Sequence, residues 1–267
     1  MSVGFYRDSS VPLYEIKSCR AELHSSRGHF HDEIAIALIG CGTSLVECAA
    51  GPFLAEPDTL VVFPPGVVHS CNPRTPDNWA FRMLFVPPDI LPREERECFS
   101  GPAPRIIRMD REFRERIGKA FEVLSGDGGP EEKEETLFLL LELAAERSVI
   151  SGETGAANAP IPESIVRTAA FLREYRHEEI PLKRLAEVSG LSRFHLVRAF
   201  RRSFDMTPHA YLMTLRIDDS KRLLREGVAI SDIALAEGFC DQSHFTRVFR
   251  EICGDTPARY IASERHR

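Results

Sequence analysis

Two segments near the C-terminal end of this 267-residue chain repeat one another, and the repeat restricts the fold more than any other feature. The first carries Leu185-Ala186, Gly190-Leu191-Ser192, His195-Leu196 and Arg198-Ala199-Phe200. The second carries Ile233-Ala234, Gly238-Phe239, Asp241, His244-Phe245 and Arg247-Val248-Phe249. Equivalent residues lie 48 apart up to the glycines and 49 apart beyond them (His195/His244, Phe200/Phe249), so the second turn is one residue longer. Ala186 and Ala234 are small where two helices cross closely. Gly190 and Gly238 supply the positive φ of a sharp turn. Ser192 and Asp241 are N-caps, and Leu196/Phe200 and Phe245/Phe249 are i,i+4 pairs that set a buried stripe.

Each segment is thus expected to be a helix-turn-helix. Its second helix presents Arg193, Phe194, Val197, Arg198 and Arg201 outward in the first copy, and Gln242, Ser243, Thr246, Arg247 and Arg250 in the second. The early positions of such a helix are those that reach base edges in the major groove. Arg202, further along and off that face, suits a phosphate contact. A single amphipathic helix pair with a solvated arginine face would look similar. Two copies matched at the glycine, the cap, the core pair and the arginine argue for a shared task. A helix from the cap Thr207 and Pro208 to Glu226, terminated by Gly227, joins the two units. It spans roughly 28 Å, short of the roughly 34 Å of one DNA turn.

The stretch Gly238-Phe239-Cys240-Asp241-Gln242-Ser243-His244-Phe245-Thr246-Arg247-Val248-Phe249, followed by Gly254, Thr256-Pro257 and Tyr260, resembles the signature of AraC-type transcriptional regulators. The resemblance covers about residues 162–263. It implies two helix-turn-helix units in successive major-groove segments of double-stranded DNA. Base contacts are then implied at Phe194, Val197 and Arg198, and at Gln242, Ser243, Thr246 and Arg247. Phe194 and Val197 cannot hydrogen-bond a base, so thymine methyls or shape are what they can read. One position departs from the repeat: Gly254 ends the second copy, but Asp205 stands at its equivalent. Asp tolerates the left-handed conformation better than most residues, so the same termination is expected.

Charge divides along the same line. Residues 1–160 hold 16 Lys and Arg against 25 Asp and Glu, whereas residues 161–267 hold 18 against 15. An acidic partner domain joined to a basic nucleic-acid module has this asymmetry. Seven cysteines without a C-x-x-C pair exclude a disulfide framework and a cysteine zinc site, leaving reduced thiols. Ile34–Ile39 is among the longest apolar runs, far from a membrane helix, and Arg7, Asp8, Glu15 and Lys17 interrupt any signal-peptide core. A cytoplasmic protein without membrane contact is expected.

The first hundred residues read as β structure, with segments Glu33–Ile39, Thr59–Phe63 and Ala80–Val86 between Gly, Pro and Asn turns. Helices are expected over Met109–Leu124 and Pro130–Ile150, then a linker of Ser, Gly, Ala and Asn over 151–161. In the second helix Leu137, Phe138, Leu140, Leu141, Leu143 and Ala144 exceed one barrel-facing stripe, which suggests a homodimer. His29-Phe30-His31-Asp32-Glu33, with Pro64-Pro65-Gly66-Val67-Val68-His69, resembles the small cupin-like barrels that precede AraC-type DNA modules. It implies a cavity lined by His29, His31, Glu33 and His69, with Trp79 and Arg82, that receives a small-molecule effector. Three histidines also suit a divalent metal. However, the glutamate that metal-binding cupins place about four residues beyond the second histidine falls where Ala35 and Ile36 stand. A cofactor-free effector pocket is therefore expected, with structural histidines as the bland alternative.

The whole chain reads as an α+β protein of two domains. Residues 1–150 form a cupin-like β-barrel plus helices, and 162–267 an all-α double helix-turn-helix. The expected function is effector-controlled transcription regulation rather than catalysis, with RNA polymerase left open as a further partner.

Overall fold

The computed structural model describes residues 2–20, 28–74, 78–150 and 161–262. Among the described residues the N-terminal part holds nine strands: β1 (Ser2–Tyr6), β2 (Glu15–Arg20), β3 (Ile34–Cys41), β4 (Ser44–Cys48), β5 (Phe53–Ala55), β6 (Thr59–Phe63), β7 (His69–Pro73), β8 (Ala80–Val86) and β9 (Arg105–Arg108). They form a six-stranded sheet in the order β1-β2-β8-β3-β6-β9 and a three-stranded sheet β5-β4-β7, antiparallel throughout. Side chains alternate across a strand, so β3, β6 and β8 each feed two cores. Ala35, Ala37, Ile39, Val61, Phe63, Met83 and Phe85 face the small sheet and form a lumen with Val46 and Ala55. Ile34, Ile36, Leu38, Leu60, Val62, Leu84 and Val86 face outward onto helices.

After the short α1 (Arg93–Glu97), those helices are α2 (Arg111–Ser125) and α3 (Pro130–Ile150). Asp110 caps α2 by accepting from the Phe113 amide at 2.8 Å, so the helix starts two residues after the expected Met109. Leu137, Leu140, Leu141, Leu143 and Ala144 are all buried, against the sheet and α2, and Phe138 is half-buried. The apolar surplus that suggested a dimer is thus absorbed within the chain. Only Leu139 of that helix remains a large exposed hydrophobic residue among those described.

The C-terminal part is all helical: α4 (Glu163–Glu174), α5 (Leu182–Ser189), α6 (Arg193–Phe204), α7 (Pro208–Arg225), α8 (Ile230–Ala236), α9 (Gln242–Cys253) and α10 (Pro257–Ala262). The expected linker lies, apart from Ile161, outside the described residues. Thr207 caps α7, and Gly227 follows its end at φ 80°. Asp205 takes up φ 52° after α6 just as Gly254 takes φ 89° after α9, so the departure at Asp205 preserves the termination. α7 is the axle. Its Leu212, Ile217 and Leu224 join Leu196 and Phe200 of α6 and Phe245 and Phe249 of α9 in one core.

That core does not stop at the domain boundary. Phe5, Phe30 and Val68 of the sheet domain belong to it. Phe5 meets Tyr260 of α10 at 4.9 Å between ring centres, and Phe30 meets Tyr211 of α7 at 4.8 Å.

Candidate nucleic-acid interface and ligand site

In α6 and α9 the caps act as expected. Ser192 accepts from the His195 amide at 3.3 Å and Asp241 from the His244 amide at 2.7 Å. Leu196, Phe200, Phe245 and Phe249 are fully buried, which fixes each helix's rotation and turns the opposite face outward. Arg193, Phe194, Arg198, Arg201 and Arg202 are exposed and Val197 half-buried; Gln242, Ser243, Arg247 and Arg250 are exposed and Thr246 half-buried. One open groove is lined by Leu182, Arg193, Phe194, Val197, Arg198 and Arg201. A second is lined by Gln242, Ser243, Thr246, Arg247 and Arg250 along with Glu251, Gly254 and Thr256. Arg202 does not line the first groove. Phe194 is 71% exposed, which the fold itself has no use for and a partner surface does.

Sequence reasoning missed the residue that holds the two units together. Arg216 of α7 is buried, and its guanidinium donates to the carbonyls of Arg176 at 2.7 Å, Glu178 at 2.8 Å and Gly238 at 2.6 Å. One side chain thereby ties the segment between α4 and α5, the long helix and the second turn into a fixed geometry. Burial lowers its pKa. An arginine in the middle of a buried helix face was the signal that could have revealed it.

At one end of the lumen His29 and His69 form an antiparallel bridge, with amide-to-carbonyl bonds of 3.0 and 2.8 Å. The rings of His29, His31 and His69 lie 4.6 to 5.4 Å apart, against Phe63 and Phe85. All three histidines are buried. Burial pushes the His69 imidazole down to about 4 and His31 well below its usual range, so both are neutral at physiological pH.

The other expected pocket residues part company. Trp79 lines the lumen with Ser44, Val46, Phe63, Cys71, Phe81 and Met83 around a cavity of about 30 Å³. Arg82 does not reach it. Strand parity puts Arg82 on the opposite face, its guanidinium 5.2 Å over the Phe121 ring of α2. Glu33 turns toward α7 rather than into the lumen. His31, Glu33 and Asp218 gather there within 4.8 Å, and Lys221 pairs with Asp218 at 2.9 Å. Burial pushes Asp218 up to about 7 although Lys221 pulls it down.

The histidine end therefore adjoins the interface with the helical domain. Nearby, Glu15 of β2 accepts from the Tyr260 hydroxyl at 2.8 Å and pairs with Arg7. Burial raises the Glu15 carboxyl, but Arg7 and Lys221 outweigh it and hold the group below its usual pKa. Arg173 of α4 bonds Asp32 at 3.1 Å and the Tyr211 hydroxyl at 3.0 Å. The arrangement can transmit a disturbance at His31 to α7.

Comparison with known proteins agrees with both halves. Residues 15–141 match the AraC-like ligand binding domain and residues 185–263 a helix-turn-helix domain. The HTH-type transcriptional regulator YbfI of Bacillus subtilis is 32% identical over 81% of this chain and 80% of its own length. The MmsAB operon regulatory protein of Pseudomonas aeruginosa is 30% identical, but over 34% of this chain and 30% of its own length. An apo form of ToxT from Vibrio cholerae shares the fold at a TM-score of 0.63, covering 97% of this chain and 99% of its own at 12% identity. The chain belongs to the AraC-type transcriptional regulators: a DNA-binding regulator of transcription with an N-terminal ligand-binding domain. No helix among the described residues is long and apolar enough to cross a membrane.

Proposed function

We propose that this regulator, acting in the cytoplasm, reads a promoter through α6 and α9 together and is controlled by a small-molecule effector at the histidine end of its barrel. Phe194, Val197 and Arg198 meet base edges in one major-groove segment, and Gln242, Ser243, Thr246 and Arg247 meet them in the next. Arg193, Arg201, Arg202 and Arg250 hold phosphates. The observation that carries this reading is the pairing of Arg198 with Arg247. Each is exposed and lines a groove on a capped helix whose rotation is locked by a buried Leu/Phe or Phe/Phe pair. α7, 18 residues and roughly 27 Å long, sets their separation. That is shorter than a turn of B-DNA, so the site bends or one helix inserts less deeply.

Effector control rests on the continuity of the core across the two domains. A lumen of about 30 Å³ accommodates little more than a water. A metabolite therefore enters by displacing the histidine end, and His31 carries the change to Glu33, Asp218 and α7. The chain acts as a DNA binder rather than an enzyme, a reading supported by its family. A homodimer is retained as part of the proposal, with Leu139 as its exposed contact, and light scattering of the full chain at micromolar concentration decides it. Selection of bound sequences from random DNA, repeated with Arg198→Ala and Arg247→Ala, tests the DNA reading: loss of a defined motif supports it, and an unchanged motif refutes it.

A further inference from the structure

We infer that the first recognition helix, α6, selects pyrimidines with a methyl group at C5, thymine and 5-methylcytosine alike, through an apolar groove of Leu182, Phe194 and Val197. That specificity presupposes α6 and α9 as the DNA interface proposed above, and it names what the α6 half reads. The two grooves are chemically unlike. Gln242, Ser243, Thr246 and Glu251 line the α9 groove, and between them they offer hydrogen-bond acceptors as well as donors. Three apolar residues and three arginines line the α6 groove.

Arginine has N–H donors and no acceptor. In the major groove it can serve guanine O6 and N7 or thymine O4, whereas the exocyclic amino groups of adenine and cytosine need an acceptor. No side chain lining the α6 groove supplies one. Direct reading there comes down to donation by arginine and to apolar contact. The apolar group that a base edge presents in the major groove is the thymine methyl, and Phe is among the side chains suited to meet it. Cytosine methylated at C5 presents the same group at the same ring position.

The geometry gathers the apolar groups. Phe194 and Val197 stand three residues apart in the first turns of α6, so they share a face of that helix. Leu182, the first residue of α5, reaches the same groove from the other helix of the unit. Phe194 is 71% exposed and Leu182 39%, two of the large apolar side chains that the fold leaves uncovered. Scattered surface apolar residues are ordinary, but a convergent set marks a binding surface. Arg193, Arg198 and Arg201 line the groove with them, and no acidic side chain does. An apolar floor among cations fits a polyanion whose inner edges carry methyl groups, which is duplex DNA. Against an apolar protein surface the same arginines would go unpaired.

The test uses the full chain and the duplex that it selects from random DNA. Each thymine of the selected motif is replaced in turn by deoxyuridine, which removes the methyl and keeps O4 and the pairing with adenine. At one thymine or more the change should weaken binding by about fourfold, the worth of one buried methyl. Phe194→Ala should erase that thymine-over-uracil preference, and Leu182→Ala should reduce it. At the same position 5-methylcytosine paired with guanine should bind about fourfold tighter than cytosine. Circular dichroism establishes that the variants are folded, and the preference of the unaltered chain is measured without any variant. A motif in which uracil equals thymine at every position, or a preference that survives Phe194→Ala, overturns the methyl reading and leaves the DNA interface standing. If no defined motif emerges, the DNA reading falls and the methyl reading falls with it.

Discussion

The two turn glycines look equivalent in sequence, but the structure makes them unequal. Gly190 and Gly238 both adopt the left-handed region, at φ 70° and 68°. Alanine at either position therefore costs about 1–2 kcal/mol for backbone strain alone. A Cβ at Gly190 would meet nothing within 4 Å. A Cβ at Gly238 would lie 2.9 to 3.0 Å from three atoms of the Arg216 guanidinium. Arg216 is only 5% exposed and donates to three carbonyls, so it has little room to retreat without breaking one of them. A lost hydrogen bond from a charged group costs about 1.5–3 kcal/mol. Gly238→Ala should thus destabilise the helical domain by about 2.5–5 kcal/mol, and Gly190→Ala by the strain alone. Urea unfolding of both variants, followed by the helical circular dichroism signal, measures the difference. In an Arg216→Met background the excess at Gly238 should disappear. Equal losses at the two glycines, or an excess that survives Arg216→Met, would refute the strut.

Two further outcomes follow from carboxylate contacts. Tyr260→Phe removes the hydroxyl that serves the buried Glu15 across the domain boundary and should lower stability by about 1.5–3 kcal/mol; an unchanged thermal midpoint would contradict that contact. Asp8 binds Lys133 of α3 at 2.6 Å, and the hydrogen bonds from Lys133 and Ser10 hold its carboxyl far below the usual 3.8. A carboxylate depressed in the folded state contributes stability above its unfolded pKa and loses it as pH falls toward the folded value. The midpoint gap between the unaltered chain and Asp8→Asn should be full at pH 7 and narrow below about pH 4; a gap independent of pH would refute the pairing.

The helical half was readable because its determinants are local. A cap, a turn glycine and an i,i+4 apolar pair each act within one turn, so Ser192, Asp241, Thr207 and the left-handed Asp205 all behave as the residue types require. The strands Thr59–Phe63 and Ala80–Val86 were readable for the same reason. What failed was non-local. Arg82 was placed in the pocket although its parity against Phe81 and Met83 sends it to α2, and that parity shows only once the lumen face is known. The α3 leucines looked surplus because two surfaces, sheet and α2, consume them, and sequence does not reveal the second. Arg216 and Asp218 were invisible because their meaning lies in partners 22 and 38 to 40 residues away for the first, and in another domain for the second.

The central claim is that α6 and α9 read bases through matched arginines one helical turn apart. Binding of Arg198→Ala, Arg247→Ala and Arg202→Ala to a panel of singly substituted operators tests it directly. A bidentate arginine–guanine contact discriminates by about 1–3 kcal/mol, whereas a phosphate contact discriminates nothing. Arg198→Ala and Arg247→Ala should each erase preference at one position, the two positions lying about ten base pairs apart. Arg202→Ala should weaken every operator alike and flatten the salt dependence. Uniform loss across the panel for both Arg198→Ala and Arg247→Ala would show that these arginines hold the backbone, and the account of base recognition would be wrong.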